Sequence, residues 1–345
     1  MMPKERVKAT LEDIAALSGT SVATVSRVVN ASSPVSKDLE QRVKQAMDEL
    51  GFEPKPPKER TKPYILAFIT PGVVDPTGAA IIHGAQEEAN RLGLCLVVID
   101  VTEKQGYPVQ NLQLFKHLSF DGVIIDHGRL DPEEFVRDYN LSHVPVIVIS
   151  RHIDSPHFYC INSDRENGMY QATRYLLSLN HKEIAYLGAD STLYISQTRL
   201  QGIIRALAEA DLPLKDEYYR IGTGTIDGGF EGATGLLNQA DNRRPTALLC
   251  YNDLVAIGAM HAVRSFGLTV PVDISVIGFN ETYFTPHTNP PLTTVSQPKI
   301  REGQLAVQKI YNNLHGYDTN KSGYMLLECP LVVRESTAPC QFVEK

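Results

Sequence analysis

Residues 10–30, TLEDIAALSGTSVATVSRVVN, read as two short helices joined by a tight turn at Ser18-Gly19-Thr20. Leu11, Ile14, Ala15 and Leu17 recur at helical spacing before the turn, and Val25, Val28 and Val29 after it. Each helix therefore has an apolar face that needs the other to bury it. Gly19 permits the positive φ that a sharp helix-to-helix turn often requires, and Thr10 and Ser21 stand where side-chain oxygens cap the two helix starts. With the valines inward, Ala23, Ser26, Arg27 and Asn30 face outward on the second helix, with Val22 at its leading edge. Small residues for close approach, hydroxyl and amide groups for phosphates, and an arginine able to grip guanine with two donors suit the major groove of double-stranded DNA. Periodicity alone leaves an ordinary helical hairpin open.

The pattern continues in PVSKDLEQRVKQAMDELGFEP at 34–54, where Leu39, Val43, Ala46, Met47 and Leu50 form a third amphipathic stripe ending at Gly51. Together the two segments closely resemble the DNA-binding headpiece of the lactose/galactose repressor (LacI/GalR) family of bacterial transcription regulators. Carried over by position, the resemblance makes Val22, Ala23 and Arg27 base-reading residues, and Thr10, Ser21, Thr24, Ser26, Asn30 and Ser36 phosphate-contacting ones. Residues 55–63 are rich in proline and charge and mark a linker. Here the chain departs from its family, most of whose members carry a hinge helix with a leucine wedge for the minor groove; no leucine stands between Phe52 and Leu66.

At 345 residues the chain is long for one core. Its net charge of −7 is unevenly shared: residues 1–62 hold 11 Lys+Arg against 9 Asp+Glu, leaving 22 against 31 for the remainder. A mildly basic module on an acidic body suits a DNA reader whose larger part stays off the DNA. No apolar run approaches the roughly 18 residues of a bilayer span, and the N-terminus lacks the apolar core of a secretory signal, so a cytoplasmic protein without membrane contact is expected. The five cysteines are scattered without a C-x-x-C pair, and neither disulfide, metal nor cofactor is expected.

From Tyr64 onward short apolar runs alternate with amphipathic helical stretches. Strands are predicted at 65–69, 94–99, 122–125, 144–149, 184–187, 247–250 and 275–277, and helices near 78–92, 108–118, 164–180, 197–210, 228–240 and 252–267. This alternation calls for parallel sheets covered by helices. The phrases FDGVIID (120–126), YNDLVAIGA (251–259), NPPLTTVSQP (289–298) and LVVREST (331–337) extend the resemblance to the C-terminus. The fold class it implies is α/β: an all-α helix-turn-helix headpiece (1–54), then a periplasmic-binding-protein-like core (64–345) of two doubly wound α/β subdomains. The resemblance bounds these at about 64–163 with 299–325, and 164–295 with 326–345, the chain crossing between them three times. It also implies a homodimer on a near-palindromic operator. The tail after Glu335 has no leucine heptad of the kind that joins two dimers in some relatives.

Ligands of open α/β sheets bind beyond the carboxyl ends of strands, which singles out Asp126, Ser150, Asn252, Asp253 and Asn280. Arg199 matches the family's effector-binding arginine. Helix capping is the competing reading for Asn252 and Asp253. Carboxylate, amide and guanidinium groups together suit a saccharide effector; a sugar phosphate, nucleoside or other small polar metabolite is the alternative. Two departures bear on the ligand. Many sugar-responsive members have aspartate at the positions of Ser150 and Asn280, and the segment at 222–225 is glycine-rich where some relatives place an aromatic lid, leaving Tyr194 or Phe284 as stacking faces. Ten histidines form no H-E-x-x-H pattern, and no G-x-S-x-G elbow or G-x-x-x-x-G-K loop is present, which argues against an enzyme. A free-standing transport binding protein would have no use for residues 10–50.

Overall fold

The computed structural model describes residues 10–29, 35–50, 52, 62–73, 75–101, 110–126, 130–238, 244–318 and 320–341, with no side-chain description for Arg27, Lys37, Gln110 and Asn111. Asn30 and residues 55–61 of the predicted linker (55–63) lie outside them. By its contacts the chain forms two compact units, 1–64 with 311–320, and 65–310 with 321–345.

In the first unit, α1 (Leu11–Ser18), α2 (Val22–Val29) and α3 (Lys37–Glu49) close over Ile14, Ala15, Val25, Val43 and Ala46. Thr10 caps α1 through a capping box: its hydroxyl accepts from the Asp13 amide at 3.3 Å, while the Asp13 carboxylate accepts from the Thr10 amide at 2.8 Å. Ser21 Oγ accepts from the Thr24 amide at 3.2 Å and starts α2. Leu17, expected on the apolar face, is 49% exposed, and Ser18 is buried in its stead. Positions 11, 14, 15 and 18 are the ones a 3.6-residue period aligns, and the Ser18 hydroxyl is satisfied by donating to the Ile14 carbonyl at 2.6 Å. Residues 311–320, which the resemblance assigns to the first subdomain, group with this unit, where Tyr64 packs edge-on against His315 at 5.4 Å.

Gly19 holds the turn at φ 62°, ψ 36°. Arg42 of α3, which the sequence did not single out, donates to the Ser18 carbonyl at 2.7 Å and the Gly19 carbonyl at 3.3 Å. A Cβ on Gly19 would lie 2.8 Å from that guanidinium. Gly19→Ala should therefore destabilise the N-terminal unit by about 1–2 kcal/mol, from left-handed strain and a displaced arginine. Circular dichroism melts of residues 1–62 against the substituted fragment would measure it.

The second unit holds two six-stranded sheets. Its elements run β1 (Ile65–Thr70), α4 (Pro76–Arg91), β2 (Cys95–Asp100), β3 (Gly122–Ile125), α5 (Pro132–Asp138), β4 (Val146–Ile149), β5 (Phe158–Ser163), α6 (Arg165–Ser178), β6 (Ile184–Gly188), α7 (Tyr194–Ala208), β7 (Tyr219–Ile221), α8 (Ile226–Leu237), β8 (Ala247–Cys250), α9 (Asp253–Ser265), β9 (Ser275–Asn280), β10 (Thr293–Ser296), α10 (Lys299–Leu314), β11 (Gly323–Leu327) and β12 (Leu331–Val332). The stretch predicted as a helix at 108–118 is a 3-10 helix, Gln110–Lys116. Strand orders are β11-β5-β4-β3-β1-β2 and β12-β10-β9-β8-β6-β7, parallel except where β12 meets β10. Each sheet thus repeats one doubly wound order, with switch points at β1/β3 and β6/β8. The chain crosses between sheets three times, after β5, β10 and β11. Gly84 and Gly303 let α4 and α10 touch backbone to backbone: an added Cβ would fall on the Ile300 carbonyl and the Ile81 carbonyl respectively.

Candidate functional site

Two sites lie in the two units. In the first, the leading edge of α2 is open: Ser21 and Ala23 are exposed, Val22 is 40% exposed, and Thr24 and Ser26 are half-buried, while Val25 is sealed in the core. The N-terminal turn of a helix braced by two others is the part that reaches base edges in a helix-turn-helix. Ser36 is exposed at the start of α3 without capping it.

The second site is a cavity of about 630 Å³ between the two sheets. The repeated topology explains its walls. Asp126 follows β3 as Asn252 follows β8, and Ser150 follows β4 as Asn280 ends β9, so equivalent positions of two similar lobes face one another. Ser150 and Asn280 share a left-handed backbone, φ 72° and φ 107°, an unfavourable state for residues with a Cβ that tends to persist where a site requires it.

Arg199, on α7 and 3% exposed, lies between the rings of Tyr251 and Phe279, with its guanidinium carbon 4.4 and 4.0 Å from their centroids. It donates to the Tyr251 carbonyl at 2.6 Å and to Asn280 Oδ1 at 3.1 Å. Asn252 caps α9 by accepting from the Val255 amide at 2.8 Å and donates to the Gly224 carbonyl at 2.8 Å, so capping and a place on the cavity wall coexist. Asp126 bonds to the Ser150 side chain; burial pushes its carboxyl up, against the pull of Lys299. Tyr194 also lines the cavity, whereas Phe284 does not.

Asp253 is the expected site residue that the structure turns away. Next to Asn252 at the start of α9, it points behind the wall, where its carboxylate accepts from the Thr282 amide at 2.7 Å, the Thr282 hydroxyl at 2.8 Å and the Thr294 hydroxyl at 2.6 Å. Burial outweighs those bonds and pushes its pKa up to about 6. A carboxyl raised in the folded state favours folding below its unfolded pKa, and that contribution is lost as pH rises through about 6, roughly 3 kcal/mol in all. Asp253→Asn cannot titrate, so urea titrations should show the wild type losing about that much relative to the variant between roughly pH 4 and 7.

Sequence reasoning missed Lys299. It lines the cavity from the first turn of α10, and Glu302, fully buried, stands 3.6 Å from its ammonium. Glu302 also accepts from the Ser163 hydroxyl at 2.5 Å and the Gln297 amide at 3.3 Å, and lies 3.9 Å from the Arg165 guanidinium. Ser163 and Arg165 belong to the first crossing and Gln297 and Lys299 to the second, so a buried network of charge joins the hinge to the cavity. No local periodicity marks such residues; proximity to Pro298 at a lobe crossing was the only signal. Among the described residues no group of side chains could hold a metal ion, and no helix is long and apolar enough to cross a membrane.

Comparison with known proteins joins both sites. Residues 10–55 match the model of bacterial regulatory proteins of the lacI family, and residues 173–337 that of a periplasmic binding protein-like domain. The transcriptional repressor PurR of Mannheimia succiniciproducens is 30% identical over 334 residues, 95% of this chain and 98% of its own. This chain belongs to the lacI family of bacterial regulatory proteins. It is a DNA-binding transcriptional repressor and not an enzyme, with the helix-turn-helix and two-lobed α/β core that the sequence led us to expect. Two solved structures are similar along the repressor's length: the lac repressor dimer bound to operator and an anti-inducer (TM-score 0.71, 28% identity, 96% of this chain and 100% of that one), and the regulator CelR with cellobiose (0.70, 27%, 95% and 100%).

Proposed function

We propose that the repressor is a homodimer whose affinity for a near-palindromic operator is controlled by a saccharide bound between the two lobes. One observation carries the ligand reading. Arg199, Asn252, Asn280, Asp126 and Ser150 bring guanidinium, amide, carboxylate and hydroxyl groups from both lobes around one cavity. Neutral rings edged with hydroxyls match such a mixture of donors and acceptors. Cellobiose in the CelR complex supports a sugar. The effector would bind both lobes at once and so bias how they sit, and whatever factor it takes from operator affinity the operator takes from effector affinity. A thermal-shift screen of the full chain against sugars tests this: a ligand at about 100 times its Kd adds about 2.7 kcal/mol of stability. A panel of saccharides that leaves Tm unmoved would overturn the sugar reading.

On DNA, the reading assigns Val22, Ala23 and Arg27 to base edges, and Thr10, Ser21, Thr24, Ser26, Asn30 and Ser36 to phosphates. Arg27→Ala should then cost about 1–3 kcal/mol on the cognate operator and relax preference at one base pair, whereas Ser21→Ala should weaken all sites alike. Binding-site selection with each variant distinguishes the two; an Arg27→Ala protein of unchanged preference would contradict the assignment.

A further inference from the structure

Three tyrosines and a histidine gather beside the start of β1, outside both sites. Tyr64 is the last residue before that strand, and its ring meets the imidazole of His315 edge-on at 5.4 Å. Tyr311, in the last turn of α10, lies 4.0 Å from the same imidazole, and Tyr317 stacks on it at 5.6 Å. All four side chains are half-buried. Aromatic contacts of this geometry hold rings in preferred orientations as well as burying them.

The local sequence builds the cluster. Just past α10, Gly316 takes φ 71°, its amide donates to the Asn313 carbonyl at 3.2 Å, and the Tyr317 amide donates to the Asn312 carbonyl at 2.8 Å. This paired closure of a helix end turns Tyr317 back over α10. A Cβ on Gly316 would meet nothing within 4 Å, so the left-handed backbone, and not packing, calls for glycine there. His315 Nδ1 donates to the Tyr311 carbonyl at 2.9 Å, which fixes the plane of the ring that Tyr64 meets. On the other side of Tyr64, Ile65 is gripped through its backbone: its amide donates to the Asp121 carboxylate at 2.8 Å and its carbonyl accepts from the Asp121 amide at 2.7 Å. The strand therefore fixes where the chain emerges, and the Tyr64 ring fixes the direction. Ahead of it in sequence stand Pro63, Pro57 and Pro56. Proline-rich spacers are semi-rigid, so the direction in which one leaves its root carries to its far end.

We propose that the Tyr64–His315 contact is a positioning device for DNA reading, which fixes the direction of the linker's departure and so sets the half-site separation that paired headpieces prefer. The inference rests on the homodimer reading above. Two headpieces tethered to one dimer bind as linked modules, whose effective concentration peaks where the reach of the tethers matches the site. Freeing the root of each tether spreads that reach, which lowers the peak and raises tolerance of other separations. The test is fluorescence anisotropy of the full-length repressor on a palindromic site that it selects from random DNA, on versions with the centre lengthened or shortened by two base pairs, and on one half-site alone. The wild type should favour the selected separation by about tenfold or more. Tyr64→Ala and His315→Ala should each cut that ratio to about threefold or less while leaving half-site affinity within about twofold, and Tyr64→Phe, which keeps the ring, should retain the wild-type ratio. Alanine variants that keep the ratio, or a Tyr64→Phe protein that loses it, would overturn the proposal, as would an equal loss on every DNA, the mark of a merely structural role. Failure of the homodimer reading looks different: the wild type would sediment as a monomer and bind the half-site as tightly as the full site.

Discussion

Glu302→Ala should destabilise the two-lobed unit by about 3–5 kcal/mol, read as a shift of the urea midpoint at constant m-value. The carboxylate is fully buried and faces two cations that are scarcely less so: Arg165 at 2% and Lys299 at 7% exposed. Its pairing is uneven. The Lys299 contact is 3.6 Å, the Arg165 contact is 3.9 Å, and Arg165 Nε and Nη2 and Glu302 Oε2 have no hydrogen-bond partner. Buried ion pairs add little net stability, because desolvation offsets most of the attraction, yet removing one member leaves the others charged in a poor dielectric. Glu302→Ala strands two cations at once. A double variant, Glu302→Leu with Lys299→Met, lowers the uncompensated charge and should recover part of the loss. Recovery would show that stranded charge, rather than a lost packing contact, causes the damage. An effect of Glu302→Ala below about 1 kcal/mol would mean that water reaches this network and screens it.

Arg199→Ala should leave operator binding without effector intact and reduce effector affinity by about 2–4 kcal/mol, roughly 30- to 700-fold. The side chain is buried, it holds Asn280 Oδ1 and the Tyr251 carbonyl, and its flat cation fills the slot between Tyr251 and Phe279. Truncation would remove the ligand's donors and free the amide that bridges to Thr77. Arg199→Lys should recover little, because an ammonium cannot occupy a planar slot or donate in two fixed directions. Gel shifts over an effector titration separate the outcomes; a repressor that kept its full response would place the effector elsewhere.

The parts legible in the sequence were those with local causes. The caps at Thr10 and Ser21, the turn at Gly19 and the buried Val25 of α2 declare themselves within a few residues. In the core, strands made of apolar runs were found, while β5, β7, β10, β11 and β12 were not. The strands β7 and β12 span only Tyr219–Ile221 and Leu331–Val332, and β10 begins with two threonines, so none carries a long apolar run. Leu17 and Asp253 show the limit of spacing arguments: a leucine one position off the buried stripe faces solvent, and of two adjacent polar residues after β8 only Asn252 faces the cavity.

By itself the sequence determined two short helices about a tight turn ahead of a long alternation of strands and helices, because periodicity, capping and turn chemistry act over three or four residues and survive in a linear reading; the DNA-binding headpiece and the two-lobed core came from the family resemblance. Only the tertiary structure decided which polar groups share a cavity and which charges share a hinge. Asp126, Arg165, Lys299 and Glu302 come from three separate stretches of chain, and Thr77 meets Asn280 across 203 positions. Groups so far apart become neighbours only when both sheets are wound and the chain has crossed between them, and burial, which then sets their energies, is a property of the packed lobes and of no segment alone.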